Sequence, residues 1–113
     1  MPSSHCWSLL IGASRVRSGR RTFSRGDDRL IQQITTEHFP DGYTILRASG
    51  GWFDPAQHKF VREESRQVLI CGARLPAVRR WARRLGAALH QKELLLIAHG
   101  RGVPLVVSSS ARP

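Results

Sequence analysis

The chain is 113 residues long, the size of a single domain, and its 41% hydrophobic content is enough for one ordinary core. It carries 18 Lys+Arg against 8 Asp+Glu, a formal charge of +10 that is almost all arginine, since Lys59 and Lys92 are the two lysines. Two cysteines are too few and too far apart to suggest a disulfide scaffold or a zinc knuckle, and the early apolar run from Trp7 to Ala13 is too short to span a bilayer.

From the chain start, Ser8 to Ala13 reads as a short buried strand ending at a turn. The polar, glycine-punctuated stretch of about 15–26 holds Arg15, Arg17, Arg20, Arg21 and Arg25 and reads as a basic loop. Asp27 and Asp28 suit a helix N-terminus, and Leu30, Ile31, Ile34 and His38 follow at near-helical spacing, so a first helix is expected from Asp27 to His38. Pro40 stops it. Asp41-Gly42 turns the chain into a second strand, Tyr43 to Ala48, which Ser49-Gly50-Gly51 ends. Trp52 and Phe53 begin a hairpin excursion whose turn is Asp54-Pro55.

A third strand is expected from Arg66 to Ala73. Leu75-Pro76 opens a second helix, with Val78, Trp81, Ala82, Leu85 and Leu89 along one face and Arg79, Arg80, Arg83 and Arg84 towards the other. Glu93 to Ala98 is a fourth strand and Val103 to Val107 an optional fifth at an edge. Residues 1–107 then form one α+β domain, and 108–113 a disordered tail. Cys6 and Cys71 are read as reduced thiols, the second in the core, and the protein as soluble and cytoplasmic, without a membrane partner.

The order β-α-β-β-α-β folds most simply as a ferredoxin-like sandwich with both helices on one sheet face. An apolar face left uncovered is commonly hidden by a second copy, so a homodimer is expected. In this topology the end of the second strand and the starts of the third and fourth share one sheet edge. That edge gathers Gly50, Gly51 and Trp52, then Arg62, Glu63, Glu64 and Ser65, then Gln91.

These same motifs carry a resemblance. Phe39-Pro40-Asp41-Gly42 before a β-run, a Gly-Trp pair, Arg62-Glu63 with Ser65 before an aliphatic strand, and a helix ending at Gln91 resemble the small bacterial proteins of domain-of-unknown-function family 3574. Phage-encoded small proteins with a similar glycine, tryptophan, glutamate and Gln-Glu pattern look alike. The resemblance covers about Ser8 to Ile97. It implies the fold and the joint placement of Trp52, Arg62, Glu63, Ser65 and Gln91, and no activity. The chain departs from the pattern at Gln91-Lys92, where the family has Gln-Glu, and shows no lipoprotein signal of the kind some relatives carry.

Each motif has a plain structural reading. Gly50-Gly51 supplies positive φ in a turn or a close approach, Trp52 caps the core edge or offers a flat binding surface, and a carboxylate beside Arg62 and Arg66 forms a salt bridge. Glu63 and Glu64, adjacent on a strand, point to opposite faces, so at most one enters a pocket. Gln91 satisfies backbone groups or recognises a ligand. The histidines lack metal-site spacing, so no metal and no cofactor are expected, and no catalytic residue stands out.

The functional expectation is a non-enzymatic dimeric binder of a small anionic or nucleotide-like ligand at the Gly-Gly-Trp/Glu/Gln end. Two alternatives stand beside it. One is a nucleic-acid binder using Arg79, Arg80, Arg83 and Arg84; the other is a small enzyme of the dimeric ferredoxin-like barrel type.

Overall fold

The computed structural model describes residues 5–91, 93–100 and 105–108. The elements are β1 (Cys6–Gly12), β2 (Arg15–Arg17), β3 (Arg20–Thr22), α1 (Arg25–His38), β4 (Thr44–Asp54), β5 (Lys59–Cys71), α2 (Leu75–Ala88), β6 (Glu93–Ala98) and β7 (Leu105–Ser108). Two helices lie on one side of a mixed sheet, giving an α+β fold.

Local chemistry explains each helix. Ser24 caps α1 through a reciprocal box: its Oγ accepts from the Asp27 amide at 3.0 Å, and the Asp27 carboxylate accepts from the Ser24 amide at 2.9 Å. Asp27 and Asp28 occupy the first turn, where the helix dipole favours negative charge. Ile31, Ile34 and Thr35 are buried, whereas Leu30, expected on the same face, is exposed. Proline in the first turn of α2 lacks only a donor that the helix would leave unpaired. Its apolar positions Val78, Trp81, Ala82, Leu85 and Leu89 are all buried, as the spacing requires. The Trp81 indole N–H donates to Thr35 Oγ1 at 3.1 Å, which satisfies both polar groups where α1 meets α2.

In the sheet, β6 pairs with β1, β1 with β5 and β5 with β4, all antiparallel, and β7 adds an edge strand beside β6. Trp7, Leu9, Ile11, Val68, Ile70, Leu94 and Leu96 point to the helices and form the core. The register sets out the opposite face in rows. Ile97, Ser8, Leu69 and Thr44 form one row; Leu95, Leu10, Gln67 and Leu46 the next; then Gly12, Ser65 and Ala48; then Glu63 and Gly50; and last Val61 and Trp52. No element covers this face among the described residues.

Five expectations need correction. The stretch 15–26 is not a loop: β2 and β3 form a tight hairpin about Ser18 and Gly19, both at positive φ, and α1 already begins at Arg25. Such a three-residue pairing has too few alternating apolar positions to be visible in sequence. Gly50 and Gly51 do not end the second strand, and neither has positive φ; β4 continues through them to Asp54, and β5 begins at Lys59, seven residues before the expected Arg66. Asp54 does make the turn, accepting from the Ala56 and Gln57 amides at 2.9 and 3.4 Å. Ser108 belongs to β7 and not to a tail, while 103, 104 and 109–113 lie outside the described residues.

Cys6 and Cys71 are register partners on neighbouring strands and are joined by a disulfide, and Cys71 is exposed. A separation of 65 residues hid a pairing that the sheet makes immediate. Reduced thiols were one ground of the cytoplasmic expectation, and the bond removes that ground. No helix among the described residues is long and apolar enough to cross a membrane.

Candidate functional site

The site lies where β1 ends and the β4–β5 ribbon leaves the body of the sheet. Gly12 pairs with Ser65, Gly50 with Glu63, Gly51 with Arg62, and Arg21 of β3 runs parallel beside Glu63. Gln91, ahead of β6, donates its amide Nε2 to the Gly12 carbonyl. The three stretches expected at one edge are therefore brought together. Lys92 lies outside the described residues.

Strand alternation divides the candidates between two faces. Glu64 turns towards the helices and is engaged there. Its Oε1 accepts from the Phe23 amide at 2.9 Å and lies 3.9 Å from Arg66, while its backbone carbonyl accepts from the Ala13 amide. Arg66, buried, donates to both oxygens of Asp28 at 2.8 and 3.2 Å, with its guanidinium 4.4 Å from the Phe23 ring centre. This network ties β5, α1 and the end of the β2–β3 hairpin together, so Glu64 is a structural clamp. Arg62 and Gly51 share that side of the ribbon. A Cβ on Gly51 would meet the Val61 carbonyl at 2.7 Å, so glycine is needed there for strand contact and not for a turn.

The open face holds Gly50, Trp52, Glu63 and Ser65, with Gly12 and Arg21 beside them. The Glu63 carboxylate lies over Gly12 so closely that a Cβ there would approach its oxygens to 2.8–2.9 Å. Burial raises the pKa of Glu63, and the Arg21 charge only partly opposes that. Among the described residues no side chain donates a hydrogen bond to it. The Arg21 guanidinium stands 5.5 Å over the Trp52 ring. Trp52 is 43% exposed, so it does not cap the core edge. Above Gly50 there is open space. The result is a shallow surface: a flat indole, a guanidinium, and a half-buried carboxyl that is free to accept or, when protonated, to donate.

Gly12 and Arg21 escaped the sequence reading. The loop assignment concealed Arg21, and Gly12 looked like an ordinary strand stop. No local signal announces either position, because the parallel contact of β3 with β5 is non-local.

The arginine side of α2 is a separate surface. Arg79, Arg80, Arg83 and Arg84 are exposed. Arg84 is engaged with Glu37 at 2.8 and 3.2 Å, and it lies 3.5 Å from His38 Nε2. Burial first, then the Arg84 charge, holds the His38 pKa below its ordinary value; Glu37 pulls the other way and Arg80 adds to the depression. The remaining three arginines make no ion pair among the described residues. Two surface clefts lie away from the Trp52–Glu63 surface, one along Arg29, Gln32, Gln33, Thr36 and Glu37, the other between His38, the Phe39–Gly42 turn and Cys71–Ala73, so each borders the Arg84 contacts at Glu37 or His38.

The family model described as a protein of unknown function, DUF3574, matches residues 7–93. Among solved structures, a phage SAM lyase in complex with S-methyl-5'-thioadenosine superposes with a TM-score of 0.64 at 12% identity, covering 97% of this chain and 93% of that one. The periplasmic divalent cation tolerance protein CutA from Archaeoglobus fulgidus superposes with a TM-score of 0.51 at 13% identity, covering 87% of each chain. At such identities the likeness is one of fold. A search of curated proteins by sequence finds no match.

Proposed function

The chain belongs to the DUF3574 family, proteins of unknown function, and on that footing we propose that it is a ferredoxin-like, homodimeric module that binds a small nucleoside-like ligand. One observation carries this reading. Glu63 is held half-buried against Gly12 without a hydrogen-bond donor among the described residues, beside an indole already paired with a guanidinium. Such a carboxyl suits hydroxyl or amine donors of a ligand, and the Trp52–Arg21 pair suits a planar ring. A bare anion would meet the charge of Glu63 itself. Between an anionic and a nucleotide-like ligand, the site therefore favours the ring with donors, while Arg21 tolerates a negative substituent. Ser65 and Gln91 line the same end, Gln91 through its hold on the Gly12 backbone. Among the described residues no nucleophile paired with a base stands beside Glu63, and this favours binding over catalysis.

The ligand of the phage SAM lyase makes S-methyl-5'-thioadenosine the first compound to try, with adenosine and AMP beside it. In isothermal titration, Trp52→Ala and Glu63→Gln are each expected to weaken binding at least tenfold with the fold intact, whereas Arg80→Glu with Arg84→Glu leaves it unchanged. Equal affinity in wild type and both site variants overturns the assignment.

A second reading is favoured by Arg79, Arg80 and Arg83, exposed on one helix without ion pairs among the described residues. Three phosphate contacts would give a slope of roughly −3 in log affinity against log salt for duplex DNA. That slope, made shallower by roughly one in the Arg80→Glu variant, would move the function to α2.

A further inference from the structure

Beyond the Gly51–Arg62 pair, residues Trp52–Asp54 and Lys59–Val61 pair only with each other among the described strands. This end of the ribbon reaches roughly 10 Å past the supported sheet, at about 3.4 Å per residue. A two-stranded ribbon is marginal in water by itself. Yet its outer part carries the largest exposed apolar side chains described. Phe60 is 79% exposed and Phe53 48%, and their rings meet edge to face at 5.4 Å. Alternation places these two phenylalanines on the side opposite Trp52, so they take no part in the proposed ligand site.

The body of the sheet shows the complementary feature. Its uncovered face carries Leu95 and Leu10 side by side, with Leu46 beyond Gln67 in the same row and Ile97 and Leu69 flanking Ser8 in the next. Leu46 is exposed and the others are only half-buried.

We propose that the aromatic end of the β4–β5 ribbon is an arm that packs on the open sheet face of a second copy of this chain, Phe53 and Phe60 lying against the Leu10–Leu95 pair. The areas are of the right order. The two exposed phenylalanines offer on the order of 200 Å² of apolar surface, given 150–250 Å² for a whole aromatic side chain. The receiving leucines, and the reciprocal arm of a symmetric assembly, bring the total towards the ~800 Å² per partner of a stable interface. A second copy is the favoured occupant because both halves of the contact, a projecting aromatic pair and an uncovered apolar face, are present on one chain. The proposal deepens the homodimer reading and leaves the ligand untouched.

Charge gives a sign to the test. Each copy carries a formal +10, so self-association must work against repulsion and should tighten as salt screens it. Binding to anionic vesicles or nucleic acid weakens with salt instead. Sedimentation of the full chain at low and high sodium chloride is expected to show an oligomer that strengthens with salt. Phe53→Ser with Phe60→Ser should weaken association at least tenfold while circular dichroism and the titrated ligand affinity stay unchanged.

A photo-crosslinking p-benzoylphenylalanine at position 60, in a mixture of labelled and unlabelled protein, should join peptides containing Leu10, Leu95 or Ile97 of the other copy. A monomer at both salts overturns the proposal. So does an oligomer whose crosslinks fall elsewhere or which survives the double substitution, although that outcome would leave the homodimer reading standing. Phe60-dependent sedimentation with phosphatidylglycerol vesicles, in place of self-association, would assign the arm to a lipid surface and overturn it as well.

Discussion

Glu63 and Glu64 show how one residue of spacing separates two kinds of carboxylate. Glu64 faces the helices and accepts from the Phe23 amide near Arg66; Glu63 faces open space over Gly12. Burial pushes the Glu63 carboxyl above its ordinary 4.5. The folded state then holds this proton more tightly than the unfolded chain, so the group costs nothing while both states are protonated. Stability falls as pH rises from that ordinary value through the elevated one, and stays lower above it. Glu63→Gln removes the cost. Thermal melts should show the variant more stable than wild type near pH 7, with the difference vanishing below about pH 4, near the unperturbed carboxylate value. A constant difference at all pH values would show that Glu63 acts through packing. Position 63 could be singled out in sequence, but its environment could not, because that depends on Gly12, fifty-one residues earlier in the numbering.

Among the elements, α1 is fixed twice. Its capping box is local and lies within Ser24 to Asp27; its attachment to the sheet is the bidentate Asp28–Arg66 pair. Removing Asp28 strands a guanidinium whose side chain is only 7% exposed. Loss of a partner from a buried pair costs 3–5 kcal/mol, and because Asp28 itself is about a third exposed, Asp28→Ala is expected to cost roughly 2 kcal/mol in urea unfolding. Arg66→Met, which removes the charge along with its partner's role, should cost less than Asp28→Ala; the reverse order would show the pair to be net stabilising. The helices were legible because the 3.6-residue period of Val78, Trp81, Ala82 and Leu85 and the acidic first turn of α1 are written locally. The ribbon was not. Gly50 and Gly51 look like a strand end, and only pairing along the whole of β5 keeps them extended.

For the whole molecule, the Cys6–Cys71 disulfide and the arrangement of charge set the conditions of stability. A closed loop of 65 residues corresponds to roughly 4 kcal/mol in the chain-entropy description of the unfolded state. Reduction, or Cys6→Ala with Cys71→Ala, should lower the melting temperature by on the order of 10 °C. An unchanged melt under reductant would show that the bond does not form. The apolar face opposite the helices belongs to this scale too. One chain leaves Leu10, Leu46 and Leu95 uncovered, and the assembly proposed above would cover them.

By itself the sequence determined the two helices, the four core strands in order, the α+β class, the family resemblance and the convergence of Gly-Gly-Trp, Arg-Glu-Glu-Ser and Gln91. Periodicity, capping and turn chemistry act between near neighbours, and alternation alone put Glu63 and Glu64 on opposite sides. Tertiary structure decided the rest. It chose which glutamate met Gly12 and which met Arg66, turned a basic loop into a hairpin that carries Arg21 to Trp52, and set Cys6 opposite Cys71. Each of these depends on register between strands distant in sequence, and a shift of one residue would send every side chain to the other face.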